Sequence, residues 1–421
     1  MQQHTDLPKS KIDRSAPWVK KIALFFTSQT ISMFGSSVVQ FALIWYITRT
    51  SGSGVIVAVS TIFAFLPQVL ISLFAGVWAD RYDRKKLIIL ADASIAVTTL
   101  VLAMLMIAGY QSVWMMVLTG AIRSVGAGIQ APAVNALVPQ IVPKEHLVRV
   151  NGVNSTMRAL VNLAAPAVGG AVLSFGPVYF VMFIDLLTAV IGIGILLFIK
   201  IPAHERALQI KTEKTDYLAD LKQGVKYALS SSFIRRLLIA YALFMILAVP
   251  GTVMNVLYVT RVFGDEYWKL TFNEIAFFVG MTVGGLAVAA WGGFKNRLVT
   301  LMLGSCVFGV CTLVIGLLES FIIYLIIIMI DGLSVPMLNI PVMTLLQEKV
   351  ANEMQGRIFS LLQIAEVAFM MIGLLVFGPL ADSMSLRILM IASGISLTVI
   401  SVAMMGFKSF IKEGLPAPAE S

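Results

Sequence analysis

Apolar runs long enough to cross a membrane recur along almost the whole of this sequence. A helix of roughly 20 consecutive apolar residues spans the hydrocarbon core of a bilayer. With 58% hydrophobic and 13% charged residues, the chain of 421 residues also has too few polar groups to cover a soluble globule. We therefore predict an all-α integral membrane protein with about twelve transmembrane helices, near 22–48, 54–78, 87–109, 112–138, 150–173, 178–200, 233–260, 273–292, 297–318, 320–345, 357–380 and 386–407.

The distribution of basic residues predicts the orientation. If the N-terminus is cytoplasmic, most of the 31 Lys and Arg residues fall in inner segments, and the outer loops hold only Arg49, Arg261, Lys269 and Arg387. The positive-inside rule then places both tails, 1–21 and 409–421, in the cytoplasm. The net charge of +9 follows from this asymmetry. It favours contact with anionic lipid and argues against a nucleic-acid partner.

The sequence predicts neither a cofactor nor a metal site. Cys306 and Cys311 lie five residues apart in one apolar helix and do not share a face, and His4, His146 and His204 are scattered over loops. A phosphate-binding G-x-x-x-x-G-K-[ST] loop and a set of nucleophile and base are both missing from the sequence. We expect a protein that is not an enzyme, and if it is a transporter, a gradient must drive it.

The second half of the chain repeats the first. When the sequence is shifted by 208 positions, the separation of Arg123 and Asp331, the segment 142–145 aligns with 350–353. Internal symmetry of this kind is typical of transporters built from two related halves. We predict two pseudo-symmetric six-helix bundles, residues 22–200 and 233–408, joined by a cytoplasmic linker over 201–232.

The linker contains a short periodic pattern. Apolar residues recur at helical spacing beside Lys222 and Lys226; they are Leu218, Leu221, Val225 and Leu229. This pattern predicts an amphipathic helix on the inner leaflet. A solvated tether is the alternative.

The same shift superposes charges of opposite sign within the membrane. Arg123 aligns with Asp331, and Arg158 aligns with Glu366. A charge at the bilayer centre costs at least about 2.5–3.5 kcal/mol, so these residues are candidates for proton coupling in a central cavity. A buried carboxyl group can exchange protons near neutral pH. The alternative is a static ion pair that sets helix register.

The first helix carries a polar stripe. Gln29, Ser32, Ser36 and Gln40 fall within about 80° of arc on an otherwise apolar helix. We expect this stripe to face the substrate cavity, although small polar residues also serve helix packing. Asn339, which lies between two prolines of the tenth helix, is a further candidate cavity residue.

A dense charge cluster lies between the second and third apolar runs. It includes Gly76, Asp80, Arg81, Arg84 and Lys85, in the pattern G-x-x-x-D-R-x-x-R-K. This pattern resembles the signature of the major facilitator superfamily. The resemblance implies a cytoplasmic gating loop in which Asp80 meets the start of helix 11, near residues 355–358. It also implies that helices 1, 4, 7 and 10 line the cavity, so that Arg123 would face Asp331 across the substrate path.

Other sequence segments indicate which branch of the superfamily the chain resembles. Pro166, Gly169 and Gly170 are similar to the superfamily's antiporter signature, where small residues let helices 5 and 8 pack tightly. The segments 122–126, 132–136, 333–336, 347–349 and 356–360 look like the bacterial macrolide-efflux branch. That branch implies proton-driven export of an amphipathic, cationic compound by a monomer in the bacterial cytoplasmic membrane. Export of a siderophore or lysophospholipid is the alternative, and a nontransporting membrane sensor is a remote one.

Overall fold

The computed structural model describes residues 17–200 and 217–415, with side chains from residue 222 onward in the second range. Nearly all of these residues are helical. The first six helices are α1 (Pro17–Ser51), α2 (Gly54–Arg81), α3 (Arg84–Ile107), α4 (Val113–Ile141), α5 (Leu147–Phe175) and α6 (Tyr179–Phe198). The later helices are α7 (Tyr217–Ser230), α8 (Ser232–Leu247), α9 (Asn255–Val262), α10 (Tyr267–Trp291), α11 (Arg297–Leu317), α12 (Phe321–Lys349), α13 (Asn352–Ser383), α14 (Leu386–Gly406) and α15 (Lys408–Glu413).

The predicted all-α membrane fold is confirmed. Within the described ranges, 10 helices are long and apolar enough to cross a bilayer, or 11 if α7 and α8, bent by 106°, form one span. The 29-residue α4 has the length, but Arg123 and Gln130 lower its apolar average. The run predicted over 233–260 is not one helix, because turns over 248–254 separate α8 from α9.

The helices pack as two bundles with equivalent contacts. In the first bundle α2 packs on α4 and α3 on α6; in the second, α10 packs on α12 and α11 on α14. Glycines allow the closest of these approaches. A Cβ added to Gly284 in α10 would lie 2.4 Å from the Leu333 carbonyl oxygen of α12, so only glycine fits this crossing.

Within the described residues, the polar contacts between the two bundles lie at one end of the molecule. We call this the sealed end (residues 51–53, 263–266 and 383–385) and the opposite end the loop end (residues 82–83, 142–146 and 350–351). The largest apolar cluster combines residues of both bundles, including Trp45 of α1 and Tyr258 of α9. Two other clusters draw their members from a single bundle each. Every hydrogen bond and ion pair found between described residues of the two bundles lies at the sealed end.

Helix α7, which occupies the end of the predicted linker, packs on the second bundle. A Cβ added to Gly224 would lie 3.4 Å from Arg357 of α13, and Ala228 is buried. Val225 and Leu229 are exposed, as are Lys222 and Lys226. The side chains of Leu218 and Leu221 lie outside the described residues. An exposed apolar strip with lysines beside it fits a helix that rests on a bilayer surface.

Candidate transport pathway

A cavity of about 320 Å³ lies in the first bundle and is lined by side chains of α1 to α5. Apolar lining residues such as Met33, Leu43 and Met116 alternate with polar ones. The residues predicted for the cavity that contribute to its wall are Gln29, Ser36, Gln40, Arg123 and Arg158.

Four predicted site residues lie away from this wall. Ser32 is buried and donates a hydrogen bond to Asp92 Oδ1 at 3.2 Å, so it faces α3 instead of the cavity. Asp331, Asn339 and Glu366 belong to the second bundle and do not line this cavity. Asn339 is exposed on α12.

Arg123 is paired with Asp185 of α6. The Arg123 guanidinium contacts one carboxylate oxygen of Asp185 and the hydroxyl of Thr99, and it also donates to the Ser36 carbonyl oxygen at 3.3 Å. Ser36 and Thr99 in turn donate to Asp185 at 3.0 and 2.9 Å. The predicted contact between Arg123 and Asp331 is therefore wrong for this structure. A counter-charge inside the same bundle already satisfies the arginine.

A second polar group lies further toward the loop end. Asp92 of α3 accepts hydrogen bonds from Ser32 and from the Gln130 side-chain amide, which is also 3.4 Å from Gln29 Oε1. Its other carboxylate oxygen has no hydrogen-bond partner among the described residues. Sequence analysis assigned no functional role to Asp92 or Asp185 and did not single out Thr99 or Gln130. The signal available was that a buried arginine requires an anion, and Asp185 is one of the few within membrane depth.

Asp331 is isolated in the second bundle. Its side chain is fully buried, and within the described chain neither carboxylate oxygen has a hydrogen-bond partner. A polar cluster lies in the same bundle, where the Tyr324 hydroxyl contacts the side-chain oxygens of Asn255 and Asn273. An unpaired carboxylate in an apolar interior is strongly disfavoured, because the ion loses its hydration and gains no partner in return.

Arg158 and Glu366 do not meet. Arg158 is an exposed residue of α5 at the cavity wall, and Glu366 is an exposed residue of α13. Neither makes an ion pair or a hydrogen bond with another residue of the described ranges. The pairing suggested by their superposition is therefore not formed in this structure.

The charge cluster predicted as a gating loop holds the loop end of the first bundle together. Arg84 donates to the carbonyl oxygens of Ala79 and Ala136 at 2.8 Å, and Lys85 donates to Leu197 and Ile199 at 3.0 and 2.9 Å. These bonds tie the start of α3 to the ends of α2, α4 and α6. Positive side chains there also complement the carbonyl groups at helix C-termini.

The predicted contact between this loop and α13 is not formed. Asp80 is largely exposed, and its one ion pair within the described chain is with Arg84, at 3.3 Å. Arg81 is exposed. No atom of the described chain lies within 4 Å of a Cβ added to Gly76, so the helix surface there is open.

In the Pro-Gly segment of α5, Gly170 lies against α10. A Cβ added to Gly170 would overlap the Thr271 side chain of α10, so glycine is required where the fifth and eighth spans cross. Gly169 instead faces α1, with Val38 O 3.5 Å from its added Cβ. Pro166 is buried.

Comparison with known proteins agrees with this architecture. A sequence model of the Major Facilitator Superfamily matches residues 25–374, which include the whole first bundle and most of the second. The chain belongs to the major facilitator superfamily. Within the superfamily, a relative named Macrolide efflux protein A from Streptococcus pyogenes is 28% identical over 387 residues, covering 91% of this chain and 95% of the relative.

A second relative of the same name, from Enterococcus faecalis, is 29% identical over 312 residues, covering 74% of this chain and 96% of the relative. The fold is similar to that of a bacterial homologue of the human lysosomal transporter Spinster, solved in an inward-facing, unoccupied conformation. That structure has a TM-score of 0.72 at 14% identity, covering 96% of this chain and 100% of that chain. The protein is thus a bacterial membrane transporter.

Proposed function

We propose that the protein exports a bulky amphipathic compound, of the macrolide class or a related drug class, in exchange for protons. The observation that carries the proposal is the cavity of about 320 Å³, whose wall mixes apolar side chains with a few hydrogen-bonding groups. This volume and this mixture are typical of small-molecule sites. The relatives named for macrolide efflux support the direction of transport and the class of cargo.

The positive-inside rule supports a cytoplasmic loop end. Arg84, Lys85 and Lys86 lie at this end, and so do the links between α4 and α5 and between α12 and α13. Both termini are then cytoplasmic, and the sealed end faces the exterior. In this conformation the cavity loads from the cytoplasm, and export follows when the loop end closes and the sealed end opens.

Asp331 and Glu366 are the proposed proton carriers. Asp331 has the stronger case, because no cation of the described chain neutralises it and its burial favours the protonated form. A carrier of this kind takes up a proton in one conformation and releases it when the rearranged bundle lets water reach the carboxyl group. Arg123 has a different role in this scheme: with Asp185 it forms a fixed polar wall of the cavity.

One feature of the cavity favours the second candidate cargo, a siderophore or lysophospholipid. Arg158 presents a guanidinium to the cavity, and within the described lining no carboxylate accompanies it. An unpaired arginine is suited to a phosphate or carboxylate group. A cationic drug would instead place its charge toward the second bundle, where Glu366 is exposed.

A transport assay in everted membrane vesicles tests these alternatives. We would measure proton release on addition of macrolides, cationic dyes, a siderophore or a lysophospholipid, using vesicles with the wild-type protein, Asp331→Asn or the control Glu319→Gln. Glu319 is an exposed carboxylate at the sealed end. Release with drugs that Asp331→Asn abolishes supports the proposal. Release with the anionic lipids or siderophores alone supports the second candidate, and no proton release with any compound contradicts antiport.

A further inference from the structure

A short motif of the gating loop occurs a second time in the chain. Residues 76–80 read Gly-Val-Trp-Ala-Asp, and residues 378–382 read Gly-Pro-Leu-Ala-Asp. The first copy ends α2 at the loop end, and the second ends α13 at the sealed end. Helices α2 and α13 belong to different bundles and pack against each other. The two copies therefore lie at opposite ends of one helix pair.

In the second copy, Asp382 caps the neighbouring helix. Its Oδ1 accepts a hydrogen bond from the Gly54 amide at 2.6 Å, and its Oδ2 accepts from the Ser53 hydroxyl at 2.6 Å and the Val55 amide at 3.1 Å. These amides belong to the first turn of α2, where backbone N–H groups have no partner within the helix. A carboxylate at this position is also favoured by the helix dipole.

Small residues of the motif allow this approach. A Cβ added to Gly54 would lie 2.6 Å from both the Ala381 Cβ and the Gly378 carbonyl oxygen. A Cβ added to Gly378 would lie 2.9 Å from the Ala58 Cβ. Larger side chains at either glycine would hold the helices apart and remove Asp382 from the amides.

Arg261 of α9 also binds Asp382 at this contact between α2 and α13. Its guanidinium donates to Asp382 Oδ1 at 2.9 Å and also to the carbonyl oxygens of Gly52 and Ala381. One arginine thus joins the last turn of α9, the end of α13 and the turn before α2. A second ion pair, between Arg49 and Asp265 at 2.8 Å, joins the bundles nearby. The hydrogen bond from Arg49 lowers the pKa of Asp265, so this pair stays ionised at neutral pH.

The first copy of the motif, residues 76–80, does not cap its partner helix α13 within the described chain. Gly76 has an open surface, and Asp80 makes no bond to α13 within the described chain. We infer that the segment 378–382 is a second latch, which locks the sealed end as the gating loop locks the loop end, and that only one latch can be closed at a time. In each latch an aspartate after a Gly-x-x-Ala segment caps the first turn of the partner helix. The inference rests on the proposed alternating access, which supplies the conformation with the loop end closed.

Distances between spin labels at the two ends test the second latch without any substrate. Label positions with the same 208-residue offset are Ser112 with Ser320 at the sealed end and Lys144 with Asn352 at the loop end; all four residues are exposed. The labelled protein would carry Cys306→Ser and Cys311→Ala. We expect Asp382→Asn to lengthen the Ser112–Ser320 distance and raise the ratio of sealed-end-open to loop-end-open molecules by about tenfold or more. That is the size expected for loss of a charge-assisted hydrogen bond.

Three further variants make the result decisive. Asp265→Asn removes an ion pair of the same end without uncapping a helix, and it should change the ratio less than threefold, since exposed pairs contribute little. Gly378→Leu should open the sealed end by a steric route. Asp80→Asn should not lengthen the Ser112–Ser320 distance. An unchanged distance distribution in both Asp382→Asn and Gly378→Leu would overturn the inference, as would an equal shift in Asp265→Asn. Absence of drug export with the distances shifted as expected would refute the proposed function and leave the latch intact.

Discussion

At the scale of single residues, the polar interior of the first bundle is arranged around Arg123. The Arg123 side chain is 9% exposed and that of Asp185 is 1% exposed, so both charges are almost entirely removed from water. Ser36 and Thr99 supply the remaining hydrogen bonds of the Asp185 carboxylate. A buried pair is tolerated only when its geometry is complete, because desolvation of each ion is unfavourable. The pair thereby connects α1, α3, α4 and α6.

We predict that Arg123→Met destabilises the protein by about 3–5 kcal/mol, since it leaves the Asp185 carboxylate buried without a counter-charge. The double variant Arg123→Met with Asp185→Leu should recover most of that loss. Thermal unfolding in detergent, read as a double-mutant cycle, measures the coupling. If the two single variants and the double variant lose stability additively, the pair has no net interaction and the assignment is wrong. Arg158→Met serves as a control, because Arg158 is exposed.

For Asp331 we predict a loss of function without a loss of folding. Asn keeps the shape of the neutral acid that the apolar surroundings favour, so Asp331→Asn should insert and unfold like the wild type. It should, however, lose substrate-induced proton release in proteoliposomes. Asp331→Glu should retain part of the activity with a shifted pH optimum. Full coupling in Asp331→Asn would show that the proton is carried elsewhere, with Glu366 the next residue to examine.

At the scale of helices, crossings with glycine determine how the bundles approach each other. Gly170 of α5 contacts Thr271 of α10, and Gly54 of α2 contacts the Gly378 segment of α13. Both crossings join different bundles, so the proposed alternating access requires these contacts to separate. Glycine leaves no side chain at the crossing, so the facing helix surfaces are flat. Two flat surfaces can separate without first disengaging interlocked side chains.

Gly170→Ala should impair sealing, because the added Cβ would overlap the Thr271 hydroxyl. Combining it with Thr271→Ala removes that hydroxyl and should restore part of the wild-type behaviour. The reporter is the Ser112–Ser320 distance, and Gly194→Ala is the matched control, since no described atom lies within 4 Å of its added Cβ. An equal effect of the control would point to a general weakening of helices.

At the scale of the whole molecule, the sequence predicts what is local and misses what depends on contact. The helical runs and the two halves follow from composition and from the 208-residue repeat. The same repeat suggested that Arg123 pairs with Asp331, but it identifies equivalent positions and not neighbouring ones. The break in the seventh span lies in an apolar run, so hydropathy misses it, although Pro250 and Gly251 are a local turn signal within it. The latch at 378–382 is also invisible to the repeat, which aligns Gly76 with Gly284 instead.

The two latches lead to a last prediction about the balance of the whole transporter. Each latch stabilises one conformation, so the ratio of the two conformations depends on the difference between them. Asp80→Asn alone should favour the loop-end-open form seen here and reduce efflux at unchanged membrane expression. Asp382→Asn alone should favour the other form.

The double variant should return the ratio of conformations toward the wild-type value, while exchange between them becomes faster because both closed ends are weakened. Label distances give the ratio, and hydrogen exchange at the first turns of α2 and α13 follows the opening of each cap. A double variant that keeps the skewed ratio of either single variant would show that the two aspartates do not act as opposed latches.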